Sequence, residues 1–191
     1  MTSIEHLFAR AAELVSRSVA NVKEDQLTNA TPCTDWDLRA LLNHVYGEAA
    51  WISAMLKGET IEQIGDRYSG DLVGQRVEQS WAEIASDATA TVKATPGDAT
   101  VVLSRGPSTA ESYAREVAAD LTVHSWDIAR ALGVDDTLDP ELIALANDTF
   151  GPMVEEGRKY GIFGPPPELA PDADEQTKML ALFGRSTEWK P

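Results

Sequence analysis

The sequence predicts an all-α protein, an antiparallel four-helix bundle with a C-terminal helical appendage. Three observations carry that reading. Apolar residues recur at the 3.6-residue period over four long stretches. Glycine and proline clusters fall between those stretches. Only one short β-branched run, Ala99 to Leu103, interrupts the helical pattern. A chain of 191 residues buries roughly 70% of its unfolded surface, enough for one core without staples. A single domain over 1–191 is therefore expected, with the bundle at about 3–157 and an extension at about 158–191.

The first helix is read from Ile4, Leu7, Phe8, Ala11, Leu14, Val15 and Val19, with Ser3 placed to cap it. The second follows Pro32. There Thr34-Asp35-Trp36-Asp37 resembles a capping box with Asp in place of Glu, and Leu38, Leu41, Leu42, Val45, Ala49, Ile52 and Leu56 continue one face to Gly58. Glu59 to Gly70 reads as a polar connector. Val73, Val77, Trp81, Ile84, Ala88 and Val92 mark a third helix, which stops near Pro96-Gly97. Ala99 to Leu103 suits an extended segment. Pro107 and Ser108 then open a fourth helix that carries Tyr113, Val117, Leu121, His124, Ile128 and Ala131 and closes at Gly133. Asp139-Pro140 starts a fifth through about Glu156, which Gly151-Pro152 kinks or interrupts. Gly164-Pro165-Pro166-Pro167 must run extended, and a short last helix follows at about Asp174 to Phe183.

Composition excludes several function classes. With 31 acidic against 16 basic side chains the formal net charge is −15, whereas a surface that tracks a phosphate backbone needs clustered cations, so nucleic acid is not an expected partner. No segment approaches the roughly 18 to 20 consecutive apolar residues of a membrane span. The start, Met1 to His6, lacks a basic region followed by an apolar stretch, so no secretory signal is read there. Cys33 is the one cysteine, which forbids an intrachain disulfide. Together these features lead us to expect a cytoplasmic protein. Its partner is expected to be a small molecule, and dimerisation through a bundle face is compatible with the apolar pattern.

The informative anomaly lies on the fourth predicted helix. Counting about 100° per residue from Tyr113, Val117 falls at about 40°, Asp120 at about 340° and His124 at about 20°. Asp120 and His124 thus lie inside the apolar stripe and one turn apart. A buried carboxylate costs several kcal/mol unless it is paired or binds a metal. The pair is either a satisfied core hydrogen bond or half of a ligand set. On the second helix His44 falls on the flank of the apolar face, beside Trp51 and Met55. If the two helices pack together, His44, Asp120 and His124 form a two-nitrogen, one-oxygen set for a divalent metal, with zinc, nickel and iron all admissible. Asp127 is the candidate to receive the other imidazole proton of a ligating histidine, with a solvated pairing to Arg130 as its alternative. Cys33 reads as a small buried apolar side chain, and Trp36 and Trp126 as packing residues.

Two segments carry a resemblance. Thr31-Pro32-Cys33-Thr34-Asp35-Trp36 with Leu41-Leu42-Asn43-His44-Val45-Tyr46-Gly47, and Asp120-Leu121-Thr122-Val123-His124-Ser125-Trp126-Asp127 running on to Gly133, resemble the DinB-like metal-binding four-helix bundles. They are most similar to the actinobacterial branch that contains the N-terminal domain of mycothiol-dependent maleylpyruvate isomerase. The resemblance implies a divalent metal, usually zinc, held by His44, Asp120 and His124. It also implies mycothiol as a cosubstrate in thiol transfer or isomerisation on a small electrophile, with Trp51 and Tyr113 lining the pocket. This chain has aspartate at 120 where the isomerase pattern has glutamate, and only 158–191 follow the fifth helix where the isomerase has a further domain. The catalytic residues beyond the ligands stay unassigned. A metal-binding bundle without catalysis, ligand-binding or stress-related, is the alternative.

Overall fold

In the computed structural model, which describes residues 2–20 and 22–190, the apolar periodicities become helices α1 (Ile4–Val19), α2 (Leu38–Leu56), α4 (Val77–Ala94) and α5 (Ala110–Leu132). These four make the bundle. Helix α1 packs against α4 and α5, and α2 packs against the same two, so α1 and α2 stand diagonally opposed. Phe8, Leu42, Tyr46, Trp81 and Leu121 fill the interior. Within it, the Tyr46 hydroxyl donates to the Val77 carbonyl (2.7 Å) and the Trp81 indole to Ser16 Oγ (2.9 Å). Both polar handles are thereby satisfied at low exposure.

Helix α5 is central, because α6 (Pro140–Phe150) covers the face that α1 and α2 leave open. Its alanines Ala114, Ala118, Ala119 and Ala129 are buried, small enough to let neighbours approach on several sides. Thr109 caps its start by accepting from the Ser112 amide (3.1 Å), and Gly133 closes it with φ +67. Residues Gly106–Thr109 are therefore not the first turn that Pro107-Ser108 suggested. They form strand β2, paired antiparallel with β1 (Thr100–Leu103), in register Thr100 opposite Thr109 and Leu103 opposite Gly106. Proline at an edge strand loses no ladder bond, which is why the same dipeptide suits either role.

Three other boundaries differ from the sequence reading. The cap of α2 is Asp37, whose carboxylate accepts from the Ala40 amide (2.9 Å), rather than Thr34. The Trp36 amide closes a turn onto the Cys33 carbonyl, and Ala30 bridges to Asp37, so the chain cannot begin a helix earlier. Helix α4 starts at Val77, and Val73 is buried from the preceding loop. The polar connector holds one further helical turn, α3 (Ile61–Ile64), with Thr60 and Gln63 as a capping box.

After α6 a short 3-10 turn at Gly151–Met153 breaks the helix, α7 (Val154–Lys159) follows, and α8 (Glu175–Leu182) packs on α6. Phe150, Phe163 and Phe183 meet at ring-centroid distances of 5.4 to 6.1 Å and pin this appendage to the bundle. The pinning needs Gly184, where φ is +80 and an added Cβ would lie 2.7 Å from the Gly164 backbone. Gly184→Ala is accordingly expected to cost about 2 to 3 kcal/mol in urea denaturation. Gly161→Ala, also at positive φ but facing open space, should cost only about 1 kcal/mol.

Candidate metal centre

Helices α2 and α5 place His44, Asp120 and His124 at one seam. His44 Nε2 lies 3.2 Å from Asp120 Oδ2, and His124 Nε2 lies 3.4 Å from Asp120 Oδ1. The two imidazoles meet edge to face with centroids 4.9 Å apart, and Trp36 covers the His44 ring at 4.8 Å. One donor atom from each residue falls within 4.8 Å of the other two. His124 is 7% exposed and the other two side chains about a quarter exposed.

The spacing suits a ligand set. A charge-assisted imidazole–carboxylate bond closes to about 2.7–2.9 Å, whereas donors around a tetrahedral ion with bonds of about 2.0–2.1 Å stand roughly 3.3 Å apart. The His44 contact, to Oδ2 at 3.2 Å, lies at the long end of the hydrogen-bond range, the His124 contact, to Oδ1 at 3.4 Å, lies beyond it, and both leave room for an ion between the donors. His124 supplies its own reference, because its Nδ1 stands 2.9 Å from Asp127 Oδ2, at hydrogen-bond distance. That bond fixes the ring and turns Nε2 toward Asp120 and His44. The residues present therefore fit a divalent ion.

Asp127 is fully buried and does not pair with Arg130, which lies instead against Asp136 at 3.2 Å. Its partner is Arg185 of the C-terminal segment, whose Nη2 donates to Asp127 Oδ2 (3.0 Å) and to Cys33 Sγ (3.2 Å). The Cys33 thiol in turn donates to Asp127 Oδ2 (3.2 Å) and stands 3.8 Å from His124 Nδ1. This corrects the reading of Cys33 as an inert apolar residue: it is partly exposed, on the wall of the cleft, and hydrogen-bonded. Cys33, His124 and Asp127 also cluster closely enough to suggest a ligand set, but the Arg185 guanidinium already neutralises that group. A second cation there would meet its charge at close range.

The electrostatics follow from burial and neighbours. Burial works to raise the Asp120 carboxyl, but His124 and His44 beside it outweigh that and hold it well below the usual carboxylate range. Burial works to lower His124, but Asp120, Asp127 and Cys33 keep it well above the ordinary imidazole range. The same surroundings that favour a proton on His124 favour a cation at Nε2, and an ion held there would displace that proton. Burial opposes ionisation of Asp127, while Arg185 and His124 bring it down to about 2. One turn along α2 from His44, burial and the charge of Asp120 push Glu48 up to about 7.

The seam lies on the shared wall of two cavities. The larger, about 820 Å³, runs from Cys33 and Trp36 past His44 and His124 to the C-terminal appendage. The smaller, about 450 Å³, is bounded by Glu48, Trp51, Arg105 and Tyr113, so Trp51 and Tyr113 do face the space beside His44 and Asp120. Sequence reasoning missed Glu48, although its i+4 spacing from His44 is the signal that exposed Asp120 and His124. It also missed Arg185, which lies 58 residues from Asp127 in the chain with no periodicity linking them.

Fold and seam define a helical bundle with an internal His/Asp/His donor set. The sequence matches the mycothiol maleylpyruvate isomerase N-terminal domain over residues 8–129, and the chain belongs to that family. It is also similar to uncharacterized proteins from two strains of Mycobacterium tuberculosis, each 30% identical over 188 residues, covering 93% of this chain and 94% of the relative. No solved structure matches significantly. Among the described residues no helix is long and apolar enough to cross a membrane.

The Asp127–Arg185 pair yields a pH-dependent expectation. Because folding depresses the Asp127 pKa, its stabilisation is complete above the unfolded value near 4 and is lost as pH falls through about 2. Asp127→Asn leaves Arg185 uncompensated and should cost about 3 to 5 kcal/mol at pH 6. In urea denaturation the gap to the unmutated protein should narrow by about 1 kcal/mol at pH 3.

Proposed function

We propose that this protein is a divalent-metal-dependent thiol transferase or isomerase, with zinc the first choice of ion, nickel or iron admissible, and mycothiol the cosubstrate. The observation that carries the reading is the donor set itself: three side chains at ligand spacing, one anchored from behind by Asp127, all on the wall of an open cleft. A structural ion is normally closed off by a fourth protein ligand, whereas a catalytic one keeps a position toward the substrate. Among the described residues no fourth histidine, cysteine or carboxylate joins His44, Asp120 and His124. That favours catalysis over a purely structural or sensing ion.

His44, Asp120 and His124 would hold the ion, which when bound supplies the positive charge that keeps a thiol deprotonated at neutral pH. Asp127 fixes the His124 tautomer, and Arg185 keeps Asp127 ionised so that it can do so. Trp36 shields the His44 ring from bulk water. Glu48, one turn along α2 from His44 and on the cavity that also borders Asp120, is placed to take up the proton that the thiol gives away. The sulfur then attacks an electrophilic carbon of the second substrate. In transfer a carbon–sulfur bond forms as the leaving group departs with its bonding pair; in isomerisation sulfur adds and is later expelled.

Elemental analysis of tag-free protein should find about one ion per chain. His44→Ala and Asp120→Ala should each lower zinc affinity by about 100-fold or more with an unchanged helical circular-dichroism spectrum, and Asp127→Asn by about 10- to 100-fold. Thiol-dependent turnover of a model electrophile with mycothiol should disappear on chelation and return with zinc. Retained metal in the His44 and Asp120 variants would contradict the assignment.

A further inference from the structure

The larger cleft is asymmetric in a way that the donor set does not require. Its outer wall is built by the appendage, where Met153, Tyr160 and Ile162 are 48%, 75% and 67% exposed and lead inward to Phe150 and Phe163. Single exposed apolar side chains are ordinary. Three on one short segment, all bordering a cavity that ends at a polar centre, form a concentrated apolar entrance of the kind that marks a ligand site.

The charges of the same cavity decide what kind of ligand. Two cations border it, and both are committed. Arg105 donates to Glu116 Oε2 at 2.6 Å, and Arg185 donates to Asp127 at 3.0 Å. Of the other carboxylates around it, Asp120 faces His44 and His124, Glu156 pairs with Lys159 at 2.8 Å, and Asp35 adds a negative charge. Among the described residues a carboxylate substrate would meet no uncommitted arginine or lysine on this wall, and it would lose hydration on entry. On the proposed function, the one extra positive centre is taken up by the thiol cosubstrate.

Resting on that reading of the function, we propose that the larger cleft is the electrophile's site and that it takes an uncharged, apolar molecule with a flat or aromatic body. The appendage supplies the apolar wall. Specificity against anions comes from the Arg105–Glu116 and Arg185–Asp127 pairs, which withhold their cations from the ligand.

The test uses two dyes with the same ring system, neutral N-phenyl-1-naphthylamine and anionic 1-anilinonaphthalene-8-sulfonate, titrated by fluorescence into protein as purified and after chelation. The neutral dye should bind about ten-fold or more tightly than the anionic one in both preparations. Met153→Ser with Ile162→Ser, changes at exposed positions that leave the fold intact by circular dichroism, should weaken the neutral dye by about five-fold or more. Glu116→Gln, which frees Arg105, should tighten the anionic dye several-fold and leave the neutral one within about two-fold. Equal or tighter binding of the anionic dye, or neutral-dye binding indifferent to the rim substitutions, would overturn the proposal. Loss of thiol-dependent turnover on chelation bears on the function and leaves the order of the two dyes unchanged, so the two readings fail separately.

Discussion

The position of the His124 ring between two carboxylates is the constraint on which the rest of the site depends. Asp127 holds Nδ1 at 2.9 Å and Asp120 faces Nε2 at 3.4 Å. Two acidic groups on either side of a buried imidazole are tolerable only if a proton or an ion occupies the wider gap and a cation balances the inner carboxylate. Arg185 provides the second of these. On the proposed function the wider gap would hold a divalent ion, so that Asp127 anchors one side of the ring and the other side would ligate.

The arrangement explains why the C-terminal appendage is more than a tail. Phe150, Phe163 and Phe183 fasten it to the bundle, and the Gly164–Gly184 crossing brings the chain close enough for Arg185 to reach across to α5. The same segment lays Met153, Tyr160 and Ile162 along the cleft. One short stretch therefore sets both the charge balance behind the donor set and the polarity of the space in front of it. The matched family region, residues 8–129, contains the donors but not Arg185 or this wall.

What could be read in the sequence was what has a local period. The four bundle helices, the break at Gly151-Pro152 and the last helix all follow from apolar spacing and from proline and glycine chemistry. The meeting of His44 with Asp120 and His124 was legible because each falls at a definable angle on its helix. Capping was less legible. Thr34 and Asp37 both carry side chains that cap well, and the Ala30–Asp37 bridge, a non-local contact, decides between them. Pro107-Ser108 is equally suited to a helix start and an edge strand, and pairing with Thr100–Leu103 settles it. Cys33 looked inert because its partners, Asp127 and Arg185, arrive from distant parts of the chain.

Anomalous diffraction from crystals soaked in zinc, recorded on both sides of the zinc edge, locates the ion. One strong peak is expected at about 2.0 to 2.2 Å from His44 Nε2, His124 Nε2 and an Asp120 oxygen, with the His124–Asp127 contact intact. A peak among Cys33, Asp127 and His124 Nδ1, or no peak at the seam and imidazoles hydrogen-bonded directly to Asp120, would contradict that placement.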